Sequence, residues 1–376
     1  MFRNIILPSS LLAGTIIGAG IFALPFLFNK AGILTGLFYL TAGGAIFTLI
    51  HLIYADIIVR TKENHRFAGY AKIYFGSFGE WSAILITLVG MVFTLTVYLV
   101  LSTSFLNFVL SGIVLPDIFK ILIFWFLGSA AIFMGINRLA VSEFLITVGI
   151  AAIILLIFIY DLAGHKTISA PLFDFNNFLL PYGAVIFSFA GRVAVPAVLG
   201  YFRKNNQPAA KAKMPIILGS LAPIPIYLLF VFGILGLSGT VSEDSISGLV
   251  GNLPPLIMML LGILGIASLW SSYIVIGRDI KKSLEHDFRL SSLWAGLLVV
   301  IVPLLFYFLG FQNFLKLVGL VGGVFIGLEG ILVILMWLKA RKTSVLGEEV
   351  IIKKLNPVIV FILLAVFIGG AVYAIL

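Results

Sequence analysis

The chain lacks cysteine, and charged residues are scarce in it. Its 376 residues include no cysteine, which excludes disulfides, thiol catalysis and metal sites with cysteine ligands. Only 10% of the residues are charged, whereas 61% are hydrophobic and the mean hydropathy is +1.20. So few charges could not cover the surface of a soluble domain of this length. The composition therefore predicts a membrane protein with the lipid bilayer as its surroundings.

The chain also lacks the residue patterns of an intramembrane enzyme and of a channel. Neither His-x-x-x-His nor Glu-x-x-His occurs, and the four histidines are scattered: His51, His65, His165 and His286. A channel would need rings of charge or a repeated filter loop, and the sequence has neither. We therefore expect a protein that is not an enzyme and that uses no organic cofactor.

Eleven apolar runs are long enough to span a bilayer. They are residues 6–28, 31–58, 82–110, 118–135, 139–161, 178–201, 214–238, 250–277, 291–310, 314–338 and 356–375. The first run follows Arg3 and resembles a secretory signal, but it lasts to Phe28, whereas the apolar core of a signal has about 7–15 residues. We therefore predict that it is the first transmembrane helix.

The distribution of basic residues predicts the orientation of these spans. The formal net charge of +9 would suit an anionic partner such as nucleic acid if it formed one patch. The Lys and Arg residues lie instead in several loops on one side of the membrane. The exceptions are Lys30, Lys120, Lys166, Lys316 and Arg192. The positive-inside rule therefore predicts a multi-pass protein of the cell membrane with a cytoplasmic N-terminus and an outside C-terminus. No nucleic-acid partner is expected.

A short motif occurs twice, each time inside an apolar run. Its copies are Gly20-Ile-Phe-Ala23-Leu-Pro25 and Gly191-Arg-Val-Ala194-Val-Pro196, and both read Gly-x-x-Ala-x-Pro. Glycine and proline weaken a helix, and a break in lipid is tolerated only where protein or a water-filled cavity satisfies the freed backbone groups. Paired breaks in two halves of a chain indicate the central binding site of a secondary transporter.

The position of the two copies predicts an inverted repeat. Aligning them places spans one to five over spans six to ten and leaves the eleventh span over. Because five is odd, the two halves enter the membrane from opposite sides. We therefore expect one transporter domain over 1–376, with repeats at about 5–161 and 178–338 and an extra helix at 356–375.

The residues around both motifs resemble a known family. Gly14-Thr-Ile-Ile-Gly18-Ala-Gly20, continuing to Pro25, resembles the broken first helix of the amino acid/polyamine/organocation transporter superfamily. Phe187-Ser-Phe-Ala-Gly191, with Val195-Pro196 and Tyr201-Phe-Arg-Lys204, resembles the sixth helix of its branch of aromatic amino acid permeases and neutral amino acid transporters. The chain departs from that branch at Arg192, where a histidine is common.

This resemblance covers about residues 5–340 and implies a fold and a function. The fold would be an all-α polytopic membrane protein, a LeuT-like five-plus-five inverted repeat with an eleventh helix and with helices 1 and 6 broken. The function would be symport of neutral amino acids, aromatic ones included, by alternating access. The alternative is a proton-coupled carrier of another small solute or of a divalent metal on the same fold, although span one lacks the Asp and Asn, and span six the Met, of the metal carriers.

The helix ends at the two breaks predict how a substrate would bind. Amides at Gly18, Ala19 and Gly20 begin a half-helix and can bind a carboxylate, whereas carbonyls at the end of the sixth span's first half can accept an ammonium group. A zwitterionic α-amino acid matches both; alternatively, the glycines only permit close helix packing. The predicted substrate site consists of Gly18, Ala19, Gly20, Phe187, Ser188, Ala190, Gly191 and Arg192. An apolar pocket for the side chain is predicted from Phe93, Phe187, Phe189 and Trp270.

The eighth span offers hydroxyl ligands for a coupling ion. Ser268, Ser271 and Ser272 share one helical face. The resemblance implies that such hydroxyls bind sodium together with carbonyls of the first span, here those of Gly14 and Ile17. Oxygen ligands suit a hard cation, although serines also join helices by hydrogen bonds. No lysine in span five replaces the ion, as one does in some proton-coupled relatives, so sodium is favoured over a proton.

Two ionisable residues remain well inside apolar runs: Arg192 in span six and Glu329 in span ten. Charges at such depth are costly and are functional by default. The two are candidates for pairing with each other, either as a structural salt bridge or as part of the mechanism. Arg192 can also bind a substrate carboxylate with two hydrogen bonds, and Glu329 can carry a proton.

Overall fold

The computed structural model describes residues 2–61, 65–110, 112–113, 115–134, 139–164, 170–238, 240–342 and 350–376, and no strand occurs among them. Seven of its helices are long and apolar enough to cross a membrane, and a bent pair at the N-terminal end makes an eighth candidate. His165 and Lys166 of the sequence analysis lie outside the described residues.

A helix or a broken helix covers each of the eleven predicted spans, and we number them in chain order. They are α1a (Asn4–Ile16) and α1b (Ala19–Ala31), α2 (Ile33–Arg60), α3 (Phe67–Val109), α4 (Asp117–Met134), α5 (Leu139–Gly164), α6a (Tyr182–Ser188) and α6b (Val195–Lys204), α7 (Ala209–Leu237), α8 (Pro255–Asp287), α9 (Ser292–Phe308), α10 (Phe314–Ala340) and α11 (Pro357–Ile375). Helices α2, α6b and α10 carry basic residues in their last turns, namely Arg60, Arg203, Lys204 and Lys339. We call the end of the bundle where these residues lie, together with Arg66, Arg278 and Lys282, the basic end.

The helices pack as two groups with a space between them. Helices α1, α2, α6 and α7 contact one another, and α3, α4, α8 and α9 form the second group. Helices α5 and α10 contact both groups, and α11 packs on α10. Helix α3 bends at Gly76, whose φ of 66° lies in the left-handed region that glycine tolerates, so 67–75 forms a separate short arm.

Both predicted breaks are present, and they are built alike. Helix α1 bends by 51° between Ile16 and Ala19, and α6 is interrupted between Ser188 and Arg192. A short 3-10 turn follows each break, and the motif proline lies in the first turn of the α-helix after it. A proline fits there because the first amides of a helix have no intrahelical acceptor. The first copy of the motif therefore begins just after its break, the second begins at the end of its break, and the proline marks where the α-helix resumes.

A buried carboxylate organises the basic end of the bundle. Asp56 of α2 is fully buried and accepts hydrogen bonds from Arg60 Nε (2.6 Å), from Trp337 Nε1 (2.8 Å) and from the amides of Ile351 (2.8 Å) and Ile352 (3.1 Å). A buried charge is tolerated when it is paired and hydrogen-bonded in this way. Asp56 thereby ties α2 to α10 and to the segment that leads into α11.

Helix α10 approaches α6a at backbone distance through glycine. A Cβ atom built on Gly322 would lie 2.7 Å from the carbonyl carbon of Gly183 and 2.9 Å from the amide nitrogen of Phe187. Gly322 belongs to a π-helical stretch of α10, Val321–Ile326, and such stretches are frequent at functional sites. Gly319, one turn earlier, has open space around its Cβ direction.

We expect Gly322→Ala to destabilise the protein, because the methyl group must push two backbones apart. Overpacking of this kind costs about 1–3 kcal/mol, which should lower the midpoint of thermal unfolding in detergent by several degrees. Gly319→Ala is the matched control on the same helix and should unfold at or above the wild-type temperature. Equal midpoints for the two variants would contradict the close approach of α6a and α10.

Candidate functional site

A cavity of about 190 Å³ lies between the two helix groups, and both breaks line it. Its wall includes most of the residues that the sequence predicts: Gly14, Ile17, Gly18, Ala19, Gly20, Phe187, Ala190, Arg192, Ser268, Ser271, Ser272 and Glu329. Two predicted site residues, Ser188 and Gly191, are not part of this wall. Ser188 is 1% exposed and its hydroxyl donates to the Ala184 carbonyl, and Gly191 faces Ile16 of α1a.

The break in α1 leaves backbone amides beside the cavity. The Ile17 amide donates to the Ala13 carbonyl (2.9 Å), and the next amide along the chain that donates to a described backbone acceptor is that of Ile21, to Gly18 (3.4 Å). The amides of Gly18, Ala19 and Gly20 lie between these two bonds, at the start of α1b. The first amides of a helix lack an intrahelical acceptor and carry the positive end of the helix dipole. This wall of the cavity can therefore hold an anionic group without a cationic side chain.

The break in α6 supplies carbonyl oxygens, and some of them already accept hydrogen bonds from the protein. The Phe187 carbonyl accepts from the Ala190 amide (3.2 Å), and the Ser188 carbonyl accepts from the Tyr227 hydroxyl (2.6 Å). The Phe189 amide also donates to the Phe187 carbonyl. Phe187 and Ala190 line the cavity and Ser188 does not, so the first two are the better candidates for binding a cation such as an ammonium group.

Tyr227 links the two breaks, and sequence reasoning missed it. This α7 side chain is fully buried, and its hydroxyl lies 3.0 Å from the Ile16 carbonyl and 2.6 Å from the Ser188 carbonyl. Its single proton is thus shared between the last carbonyls of α1a and α6a. A tyrosine in an apolar span needs a partner for its hydroxyl, but the sequence does not say which partner.

The two breaks also touch directly at Gly20. A Cβ atom built on Gly20 would lie 2.5 Å from Ser188 Oγ and 2.7 Å from Ser188 Cα, so any side chain there would separate the breaks. Gly18 differs, because nothing lies within 4 Å of its Cβ direction. Gly20 therefore serves the packing of the two breaks, whereas Gly18 leaves room at the cavity wall.

Hydroxyl groups of α8 face the same cavity as the backbone of α1. Ser268, Ser271 and Ser272 line it together with Gly14 and Ile17. Tyr98 in α3 belongs to the same lining. The predicted oxygen ligands therefore belong to one cavity.

The two intramembrane charges form an ion pair. Arg192 Nε contacts Glu329 Oε1, and the two side chains are 10% and 17% exposed. The guanidinium carbon also lies 3.9 Å from the centroid of the Phe67 ring and 5.4 Å from that of the Tyr54 ring. Arg192 is thus held by a carboxylate and two aromatic rings at once.

A second cavity of about 630 Å³ opens beside the first. Arg192, Val193, Thr15 and other residues line both cavities. Further lining comes from basic side chains at the basic end: Arg66, Arg278 and Lys282. The central cavity is therefore adjacent to a path toward the basic end, with Arg192 at the boundary.

The predicted aromatic pocket is wrong in three of its four members. Among the described residues, Phe187 lines the central cavity, but Phe93, Phe189 and Trp270 do not. Phe93 packs against Phe306 at a centroid distance of 4.7 Å, and Phe189 is fully buried beside Tyr227. The aromatic side chains that do line the cavity with Phe187 are Phe47, Tyr98 and Phe325.

We expect Tyr227→Phe to loosen both breaks, because it removes the proton that the carbonyls of Ile16 and Ser188 share. Loss of a buried hydrogen bond costs about 1–3 kcal/mol, so the variant should unfold several degrees earlier and show faster amide exchange in α1 and α6 than in α3. Tyr39→Phe, at a buried tyrosine of α2 that does not line the cavity, is the control. Unchanged exchange in α1 and α6 would contradict the link.

Comparison with solved structures shows the fold. MhsT in complex with L-phenylalanine has a TM-score of 0.65 at 12% identity, with 98% of this chain and 97% of that chain covered. Mhp1, a nucleobase-cation-symport-1 family transporter, has a TM-score of 0.67 in its closed conformation with bromovinylhydantoin bound, at 16% identity and with 99% and 90% covered. The chain therefore has the LeuT-like fold, with an inverted five-plus-five repeat and an eleventh helix.

Curated relatives match a part of the chain. Neutral amino acid transporter 9 of Rattus norvegicus is 29% identical over 96 residues, and that of Xenopus tropicalis is 32% identical over 98 residues. The chain spans 17% of the length of these relatives, and each match covers 24% of this chain.

A family match extends over nearly the whole sequence. The sequence model of the tryptophan/tyrosine permease family matches residues 1–374, which include both breaks, the serines of α8 and the Arg192–Glu329 pair. A permease family and the LeuT-like fold together make the chain a transporter and not an enzyme. The protein belongs to the tryptophan/tyrosine permease family.

Proposed function

We propose that this transporter is a symporter of neutral amino acids, aromatic ones included, that works by alternating access. The observation that carries the proposal is the polarity of the central cavity. Amides at the start of α1b line it on one side, and Phe187 and Ala190 at the end of α6a line it on the other. An α-amino acid carries a carboxylate and an ammonium group on one carbon, so it can satisfy both helix ends at once.

The names of the relatives agree with this substrate class. The matching family is that of tryptophan/tyrosine permeases, two partial relatives are neutral amino acid transporters, and MhsT was solved with L-phenylalanine. The lining of this chain's cavity adds apolar and aromatic surface around the two helix ends, including Phe47 and Phe325. Such a lining suits an uncharged side chain.

We further propose that the basic end faces the cytoplasm. The basic loops meet at this end, as the positive-inside rule requires of cytoplasmic loops, so the N-terminus is inside and the C-terminus outside. The second cavity then leads from the site toward the cytoplasm, and the structure corresponds to a state that is open inward. Accessibility of single cysteines, introduced into this cysteine-free chain at either end, tests the orientation directly.

The proposed coupling ion is sodium. The hydroxyls of Ser271 and Ser272 face the same cavity as the backbone of Gly14 and Ile17, and hydroxyl and carbonyl oxygens suit a hard cation. Uptake of labelled amino acids into proteoliposomes, with and without a sodium gradient, tests substrate and ion together. Binding of a divalent metal or another solute, with no affinity for any α-amino acid, would overturn the substrate class and leave the fold unaffected.

Gly18→Ala should weaken substrate binding without harming the fold. The added methyl group meets no atom within 4 Å, but it lies on the cavity wall and keeps a carboxylate away from the amides of α1b. We expect affinity for a labelled neutral amino acid to fall about tenfold or more, which corresponds to at least about 1.4 kcal/mol. Equilibrium binding in detergent measures the affinity, and thermal unfolding measures the fold.

Two further glycines make this experiment selective. Gly200→Ala in α6b also has open space but lies outside the cavity, so its affinity should match wild type. Gly20→Ala points at the backbone of Ser188 and should lower the unfolding temperature as well as the affinity. Wild-type affinity in the Gly18→Ala variant would show that the amides of this break do not bind the substrate.

Replacing Ser271 and Ser272 together with Ala should raise the sodium concentration that gives half-maximal uptake, because two oxygen ligands are lost. Uptake at saturating sodium should fall less. Thr41→Ala, at an exposed threonine whose hydroxyl bonds within α2, is the control. If the wild type takes up amino acids under a pH gradient in sodium-free buffer, and Glu329→Gln abolishes that uptake, the coupling ion is the proton and the sodium assignment fails.

A further inference from the structure

The central cavity contains one positive and one negative side chain. Among the described residues that line it, Arg192 and Glu329 are the only Lys, Arg, Asp or Glu, and the remaining wall consists of backbone, hydroxyl groups and apolar side chains. The two contact each other as an ion pair, so the formal charge of the lining is zero. A charged molecule entering this cavity would therefore leave water without meeting a net opposite charge.

The pair is held in place from several directions. The ring centroid of Phe67, in the arm before the bend of α3, lies 3.9 Å from the guanidinium carbon, and that of Tyr54 in α2 lies 5.4 Å from it. Glu329 lies on α10, just beyond the π-helical stretch that packs on α6a. Because three helices fix the guanidinium and the carboxylate, neither charge can turn away from the other at little cost. The charges cancel within the cavity wall.

We propose that the Arg192–Glu329 pair determines the charge class of the substrate by keeping the binding cavity neutral. The proposal rests on the proposed amino acid transport and names its selectivity device. The helix ends at the two breaks balance the carboxylate and ammonium groups that all α-amino acids share. Because Arg192 and Glu329 neutralise each other, the cavity has no free charge that could balance a charged side chain of the substrate. Burial of an additional unpaired side-chain charge is strongly unfavourable, so amino acids with neutral side chains are accepted and charged ones are rejected.

The test is a change of preference between substrates of different charge. Glu329→Gln leaves one positive charge in the cavity, and the affinity for glutamate relative to leucine should rise about tenfold or more. Arg192→Gln leaves one negative charge, and the affinity for lysine relative to leucine should rise similarly. The double variant with both changes restores neutrality, so both ratios should return toward those of wild type. Competition against a labelled neutral amino acid measures all three ratios.

The control removes a charge from an ion pair outside the cavity. Lys72 and Glu80 form an exposed pair with an N–O distance of 2.9 Å, and neither residue lines the central cavity. Glu80→Gln should leave the preference for leucine over glutamate and lysine unchanged. A purely structural role for Arg192 and Glu329 would lower the unfolding temperature in each single variant and weaken all substrates alike, with constant ratios.

A third variant keeps the proposal testable if the single variants do not fold. Thr94→Asp adds one carboxylate to the cavity wall at a residue of similar size and leaves the ion pair intact, so the preference should shift toward lysine. Unchanged ratios in a folded single variant, or in Thr94→Asp if neither single variant folds, would overturn the selectivity proposal. A wild type that binds no amino acid of any charge would instead overturn the proposed function itself, so the two failures are distinguishable.

Discussion

A broken helix inside a membrane must find partners for its backbone polar groups. Hydrocarbon offers none, so each break needs protein contacts or a cavity that admits a polar ligand. In this chain the Tyr227 hydroxyl serves the ends of α1a and α6a together, and Gly20 brings the second break within contact of the first. The amides of α1b remain for a ligand. The proposed binding site is thus the part of the breaks whose polar groups the protein does not satisfy by itself.

The contacts that close the breaks also tie them to each other and to α10. Gly322 meets α6a at backbone distance, and Tyr227 and Gly20 join α6a to α1. The two breaks therefore form one unit with α7, and α10 lies against it on the side that carries Glu329. Alternating access on this fold requires one helix group to move against the other. A unit joined in this way can move without exposing the carbonyls at its breaks to lipid.

The sequence predicts the spans and the breaks because both depend on local properties. Apolar length gives a transmembrane helix whatever surrounds it, and glycine with proline marks where such a helix is interrupted. Contacts between residues on different helices cannot be predicted in this way, since they depend on how the helices pack. Tyr227 shows no pattern that distinguishes it from other tyrosines in the chain, and Phe67 reaches Arg192 because α3 bends at Gly76. The prediction of the aromatic pocket was wrong for the same reason. Residue type alone does not show which side of a helix faces the cavity.

The position of Arg192 explains why a neutral pair suits a transporter better than a free arginine. Arg192 lines both the central cavity and the cavity toward the basic end, so in the proposed transport cycle a substrate leaving by that path passes it. A free guanidinium there would bind the carboxylate of an amino acid with two hydrogen bonds and slow its release. Glu329 already occupies the guanidinium, and Phe67 covers one of its faces. In the proposed function, tight binding is thereby left to the helix ends of the breaks, whereas a free charge on the exit path would hold the substrate in every state.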